Sequence, residues 1–251
     1  MERWSGKVAV VTGASSGIGA AIVIDLVKAG MIVVGLARRK NRVEALKKDI
    51  PSNATGKLYA VKCDITRDDD IVKAFGWIVF ELGGIDVLVN NAGIVKMMPL
   101  LEEGNEDTLK SVLQTNLWGL VLCTKKAVEI MRRKKTVGGH IININSIVGH
   151  KVIGSFGQQP MSNVYPSSKF GVTALTEVLR QEFAFENMKM KVTSISPGFV
   201  KTEIIPDEVF ASLPYPSLNA EDISEAVLFA LGTPPHVQIH ELIIKPVGEI
   251  L

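Results

Sequence analysis

Cysteine is scarce in this chain. There are two in 251 residues, Cys63 and Cys123, far apart and outside any CxxC spacing. That spacing argues against a disulfide framework and against a zinc site, so no metal is expected, and it suits a reducing, cytoplasmic compartment. A long apolar run is missing too. A membrane-crossing helix needs about 18 or more apolar residues, and the best candidate, 20–37, is broken by Asp25 and Lys28. The opening residues, Met1-Glu-Arg-Trp-Ser-Gly-Lys7, run almost directly into a strand pattern, which is not the layout of a secretory signal. Charge of one sign is not in excess: 28 basic and 26 acidic residues give a formal net charge of +2. Nucleic-acid binders concentrate a basic face, so that class is not expected. Two short basic runs, Arg38-Arg39-Lys40 and 132–135, stand out, and the second reads as a solvated helix end. Repeats, low-complexity stretches and linkers are absent, so residues 1–251 read as one domain.

What is present is an apolar pattern that switches repeatedly between strand and helix periods. Strands are predicted near 7–12, 31–37, 58–63, 87–90, 140–145, 192–196 and 241–245, and helices near 18–29, 38–49, 68–82, 107–134, 164–186 and 220–231. Short, continuously apolar strands are those buried on both faces. Gly30, Gly83-Gly84 and Gly138-Gly139 are placed to stop helices, and Thr66 with Asp69 resembles a capping box. Seven strands alternating with helices imply parallel pairing through right-handed crossovers. The fold class is therefore α/β: a Rossmann-type, doubly wound, seven-stranded parallel sheet with helices on both faces. One stretch, 148–163, is rich in Gly, Ser and Gln and too long for an ordinary connection, which marks a functional or mobile loop.

The first strand ends in Thr12-Gly13-Ala14-Ser15-Ser16-Gly17-Ile18-Gly19, and a helix begins at once. A pyrophosphate needs close backbone approach, free N–H groups and the positive end of a helix dipole. Glycines at 13, 17 and 19 suit the turn, the approach and tight helix–strand packing. The second strand ends at Ala37-Arg38-Arg39, where dinucleotide folds carry an acid for the adenosine ribose or an arginine for a 2′-phosphate. No acid stands there. Guanidinium groups suit phosphate, so NADP is favoured over NAD; the alternative is that both are ordinary surface charges.

Tyr165 and Lys169 are four apart and share a helix face. Ser146 lies at the C-terminal end of the fifth strand, the edge where open α/β sheets bind ligands. Asn116 sits midway along a long helix, where its amide is a mediocre helix former and has either a surface or a special role. Reduction of a carbonyl requires hydride at carbon and a proton at oxygen. Tyr165 is the candidate donor, Ser146 the group that holds the substrate oxygen, and Lys169 the cation that lowers the phenol pKa from about 10, together with an oxidised nicotinamide.

Over essentially its whole length the chain resembles the short-chain dehydrogenases/reductases. The resemblance is carried by Thr12-Gly-x-x-x-Gly17-x-Gly19, Asp64, Asn90-Asn91-Ala92-Gly93, Asn116, Ser146, Tyr165-x-x-x-Lys169 and Pro197-Gly198. It implies a catalytic tetrad of Asn116, Ser146, Tyr165 and Lys169, with Asn116 holding a water between Lys169 and solvent. It also implies a cofactor site from Gly13, Ser15, Ser16, Gly17, Ile18, Gly19, Arg38 and Arg39, with Asp64 and Ile65 beside adenine. Asn91, Ala92 and Gly93 would border the cofactor, with Tyr165 and Lys169 at the nicotinamide ribose. Pro197, Gly198, Val200 and Thr202 would bracket the nicotinamide amide. Family members are commonly dimers or tetramers built on the two long helices, so a homo-oligomer is implied. Met1-Glu-Arg-Trp, Gly139-His-Ile-Ile-Asn-Ile-Asn-Ser146, Gly149-His150 and Thr173-Ala-Leu-Thr-Glu177 are similar to the member-eleven branch. That branch includes insect NADP-dependent farnesol dehydrogenases and vertebrate ketosteroid reductases.

Pro166 directly follows the candidate acid and fits a helix only in its first turn. The helix is therefore expected to start near Asn163, with Tyr165 at its mouth. After Thr202, the segment 202–218 carries Ile204, Ile205, Val209, Phe210, Leu213 and Tyr215, interrupted by Glu203, Asp207 and Glu208. In the family this is the position of a substrate lid. An apolar inner face would suit a lipophilic alcohol such as farnesol; core or subunit packing is the other reading. A ketosteroid or small-carbonyl reductase, and a non-catalytic NADP-binding regulatory protein, remain alternatives.

Overall fold

The computed structural model describes residues 1–154, 161–204 and 216–249. Seven parallel strands form one sheet: β1 Val8–Thr12, β2 Ile32–Ala37, β3 Lys57–Lys62, β4 Val87–Asn90, β5 His140–Ile144, β6 Lys191–Pro197 and β7 Glu241–Ile244. Their order is β3-β2-β1-β4-β5-β6-β7. In register, Val10 is the partner of Val34 on one side and Leu88 on the other. The chain winds outward in both directions from β1 and β4, and the crevice between them is where such sheets bind ligands.

The central strands β1, β2 and β4 are apolar on both faces because both are covered. Ala9 and Val11 face one core with Val33, Val87, Val89 and Ile142. There they meet Ile22, Val23 and Leu26 of α1 (Gly17–Lys28) and Ile223, Val227 and Leu231 of the final helix, α7 (Ala220–Gly232). Val8 and Val10 face the other core, with Val34, Leu88 and Ile141. Covering them are Ile71, Phe75 and Ile78 of α3 (Asp68–Leu82) and Cys123, Ala127 and Met131 of α5 (Leu120–Lys134). Phe183 of α6 (Tyr165–Phe185) completes that layer. Each fully buried Ile or Leu side chain contributes about 1.5–3 kcal/mol relative to exposure.

Several boundaries differ from the pattern-based reading. The predicted helix 38–49 is α2 (Lys40–Ala45) followed by a 3₁₀ turn, Leu46–Asp49. The predicted helix 107–134 is three pieces: α4 (Glu106–Leu113), a π-helical turn (Gln114–Gly119), and α5. A π turn adds a residue without changing composition, so apolar periodicity passes over it. Helix α5 ends before the glycine pair, at Lys135 in the left-handed region (φ 55°). The capping box at Thr66 does not form. Arg67 is the N-cap of α3, and Thr66 instead donates from its backbone N and Oγ1 to Asp64 Oδ1 at 3.0 and 2.7 Å. The first turn of α7 does carry a capping box, from Asn219 and Asp222. Unforeseen too is a 3₁₀ turn, Glu2–Trp4, whose buried Trp4 donates from Nε1 to the Leu231 carbonyl at 2.8 Å. Among the described residues no helix is long and apolar enough to cross a membrane.

Candidate active site

A groove of about 1040 Å³ runs along the carboxyl ends of the strands. At one end is the turn between β1 and α1. Gly13 and Gly17 adopt positive φ, 67° and 53°, a region costly for other residues. A Cβ on Gly13 would lie 2.7 Å from Ala92 Cα, and one on Gly19 would lie 2.4 Å from both the Gly13 carbonyl and Asn91 Nδ2. The turn is fixed from behind. Asn91 Nδ2 donates to the Thr12 and Gly13 carbonyls at 2.9 and 3.2 Å, and Thr12 Oγ1 accepts from the Asn91 and Ala92 amides, both at 3.0 Å. No side chain caps the first turn of α1, so its N–H groups face the groove as anion donors. Volume, glycine turn and helix end together fit a dinucleotide.

Arg38 and Arg39 are both exposed and line the groove. Arg39 Nη2 donates to Ser16 Oγ at 3.0 Å and Ser15 Oγ at 3.2 Å. It also meets Glu203 Oε2 at 3.3 Å, while Arg42 Nη1 reaches both Glu203 oxygens at 2.8 and 2.9 Å. Burial alone would raise the Glu203 carboxyl, but the Arg42 and Arg39 guanidiniums outweigh it and hold the group below the usual carboxylate range. Asp64, anchored by Thr66, and Ile65 line the adjoining wall.

At the other end, Ser146 follows β5 and Tyr165 opens α6. Val164 is the N-cap, and Pro166 occupies the first turn, where its missing N–H costs nothing. The start lies two residues beyond the predicted one, and Asn163 is in the left-handed region (φ 39°) ahead of it. Pro166 thus leaves Tyr165 lining the groove together with Ser146. Lys169, 7% exposed, sends Nζ to the Ile144 carbonyl at 3.0 Å and lies 5.9 Å from the Tyr165 ring centroid.

Burial governs both groups. It pushes the Tyr165 phenol up to about 12, with the Ser146 hydrogen bond only partly opposing, and lowers the Lys169 ammonium to about 8. The expectation that Lys169 lowers the phenol is not met by the protein's own groups. The amine lies over the ring and bonds a carbonyl, and desolvating a phenolate costs more than the Ser146 hydrogen bond returns. At neutral pH the pair is a phenol beside a mostly charged amine.

Asn116 lies in the π turn and is 2% exposed. Its Oδ1 accepts from the Ile94 amide at 2.8 Å; its Nδ2 donates to the Ile94 carbonyl at 2.9 Å and Ser168 Oγ at 3.2 Å. Ser168 in turn donates to the Tyr165 carbonyl at 2.6 Å. The bond to the Ile94 peptide makes Asn116 a brace between the β4 loop and α6.

Of the predicted residues, Gly13, Ser15, Ser16, Gly17, Ile18, Arg38 and Arg39 line the groove, as do Asp64, Ile65, Asn91, Ala92 and Gly93. So do Ser146, Tyr165, Lys169, Pro197, Val200 and Thr202. Gly19, Asn116 and Gly198 do not; they sit behind the wall. A Cβ on Gly198 would strike the Glu249 carboxylate at 2.2 Å. The predicted loop and lid are described only in part, since 155–160 and 205–215 lie outside the described residues. Sequence reasoning missed Ser168, the Glu203 contact and a buried ladder: Asn90 Nδ2 donates to Asn143 Oδ1 at 2.9 Å, and Asn143 Nδ2 to Thr176 Oγ1 at 3.0 Å. The only sequence signal for the ladder is an amide, Asn143, inside an otherwise apolar strand.

Comparison with known proteins agrees with this geometry. A family profile described as short chain dehydrogenase matches residues 7–209. The chain is 57% identical over 249 residues to the farnesol dehydrogenase of Aedes aegypti, with 99% of each chain covered. It is 40% identical over 259 positions to dehydrogenase/reductase SDR family member 11 of Gallus gallus, with 100% of each covered. An alcohol dehydrogenase of the archaeon Thermococcus sibiricus, complexed with 5-hydroxy-NADP, superposes with a TM-score of 0.83 at 26% identity over 98% of both chains. The match along most of its length makes this chain a member of the short-chain dehydrogenase family.

Proposed function

We propose that this oxidoreductase interconverts alcohols and aldehydes or ketones with NADP, preferring a lipophilic substrate such as farnesol. The observation that carries the reading is the Tyr165–Ser146 pair beside buried Lys169, at the far end of a groove whose other end is a glycine turn flanked by Arg39. The dinucleotide, when bound, supplies or accepts the hydride. Gly13, Ser15, Ser16, Gly17, Ile18 and the α1 N-terminus would hold its pyrophosphate, Arg38 and Arg39 its 2′-phosphate, and Asp64 and Ile65 its adenine. Asn91, Ala92 and Gly93 would border it, and Pro197, Gly198, Val200 and Thr202 would enclose the nicotinamide amide.

Ser146 orients the substrate oxygen, and Tyr165, protonated at working pH, donates the proton to it in reduction. Lys169 keeps positive charge beneath the ring and grips the nicotinamide ribose. Asn116 keeps the Ile94 loop and α6 in register. Ile94 and Val95 add apolar wall to the groove beside Asn116, which suits an isoprenoid. The 57% identity to a farnesol dehydrogenase supports the same substrate class.

Buried free thiols, with Cys63 pushed up to about 12 by burial and the nearby Asp70 and Asp64, suit a cytoplasmic enzyme. Exposed Leu113 and Trp118, and exposed Phe170 and Val178 of α6, suit a homo-oligomer. A screen in both directions with NADP(H), headed by farnesol and farnesal and extended to ketosteroids and small carbonyls, tests the reading. Turnover of the isoprenoids at the highest kcat/KM is expected. A steroid or small carbonyl in that place would replace the substrate, and silence across the panel would favour a regulatory, non-catalytic protein.

A further inference from the structure

Glu203 is the one acid in the lid segment that the described residues tie to the cofactor groove, and its contacts cross from one end of the chain's fold to the other. It sits just past Thr202, at the base of the segment 202–218, and lines the groove. Its carboxylate spans two guanidiniums that arise more than 160 residues earlier, bonding Arg42 through both oxygens and Arg39 through one. Arg39 is not simply a surface cation with a counterion. The same Nη2 that meets Glu203 also bonds Ser15 and Ser16, in the loop ahead of α1. Glu203 therefore shares with Ser15 and Ser16 a donor on Arg39 that suits a 2′-phosphate, offering it one carboxylate oxygen where a phosphate would offer up to three.

We infer that Glu203 is an internal competitor for the 2′-phosphate and thereby sets how strongly the site prefers NADP over NAD. The inference rests on the NADP reading above and names a residue that limits it. A 2′-phosphate reaching Arg39 displaces Glu203 from its single, longer contact at 3.3 Å, while Arg42 retains the acid at 2.8 and 2.9 Å. NAD carries a ribose hydroxyl at that position and leaves the Glu203–Arg39 contact in place.

The test is equilibrium binding to the full chain, read by the change in reduced-nicotinamide fluorescence for NADPH and NADH and by calorimetry for adenosine 2′,5′-bisphosphate. In Glu203→Gln, NADPH and the bisphosphate should bind about threefold to fivefold more tightly, the scale of one exposed charge contact, with NADH changed by less than about twofold. Glu44→Gln removes the same charge from α2, where it pairs with Lys40, and should alter none of the three. In an Arg39→Ala background, the gain from Glu203→Gln should vanish. Weaker NADPH binding in Glu203→Gln, an equal change for NADH, or a gain that survives without Arg39 would overturn the inference. Selective NADPH loss in Arg39→Ala with a neutral Glu203→Gln would overturn the competitor role alone. An unchanged NADPH-to-NADH ratio in Arg39→Ala would overturn the 2′-phosphate assignment, and the competitor role with it.

Discussion

The two ends of the groove are built on different principles. The end proposed for the phosphates is backbone: Gly13 and Gly17 at positive φ, Gly19 against the Gly13 carbonyl, and an uncapped helix. The catalytic end is side chains whose ionisation is set by burial, with Tyr165 raised to about 12 and Lys169 lowered to about 8. The contrast separates holding a cofactor from handling a proton. A steric change at one end should alter affinity, and a chemical change at the other should alter turnover.

The largest effect is expected at the catalytic end. Ser146→Ala removes the hydroxyl proposed to hold the substrate oxygen and should lower kcat/KM for carbonyl reduction by about 10²–10³-fold. The Kd for NADPH, measured by fluorescence titration, should stay near wild type. Gly19→Ala is the converse. Its new Cβ meets Gly13 O and Asn91 Nδ2 at 2.4 Å, and forced backbone movement of this kind costs roughly 1–3 kcal/mol. Thermal melting should show the loss, NADPH Kd should rise, and kcat at saturating NADPH should be kept. A kcat loss without a Kd change would break the division.

Asn143→Ala cuts the ladder that joins β4, β5 and α6 beneath both ends. Leaving Asn90 and Thr176 without that partner should cost about 1–3 kcal/mol in denaturant unfolding. The smallest effect is in pH. Lys169, lowered by burial, is charged below about 8 and neutral above it, while Tyr165 stays protonated throughout. The reduction rate should be flat near pH 6–7 and about twofold lower at pH 8, where half the amine is neutral. A Lys169→Arg enzyme that binds NADPH should lose that inflection. Oxidation needs the phenolate and should climb with pH.

The phosphate end was largely legible in the sequence because local chain geometry dictates it: a strand, a turn that only glycine tolerates, and a helix. Tyr165, Lys169 and Ser146 were legible from spacing and strand ends. The fold was legible because strands buried on both faces read as short apolar runs. What could not be read depends on contacts between distant segments. The π turn at Asn116 leaves helical periodicity intact. The Glu203–Arg39 contact joins residues 164 apart. The raised Tyr165 pKa of the protein alone follows from burial, which no local motif encodes.

The central claim is that the Tyr165 hydroxyl is the proton donor. Tyr165→Phe tests it most directly, with kcat for NADPH-dependent carbonyl reduction and the NADPH Kd measured on the same preparation. The account predicts a kcat loss of about 10²–10⁴-fold with Kd essentially unchanged. Equal turnover by the two proteins would contradict it.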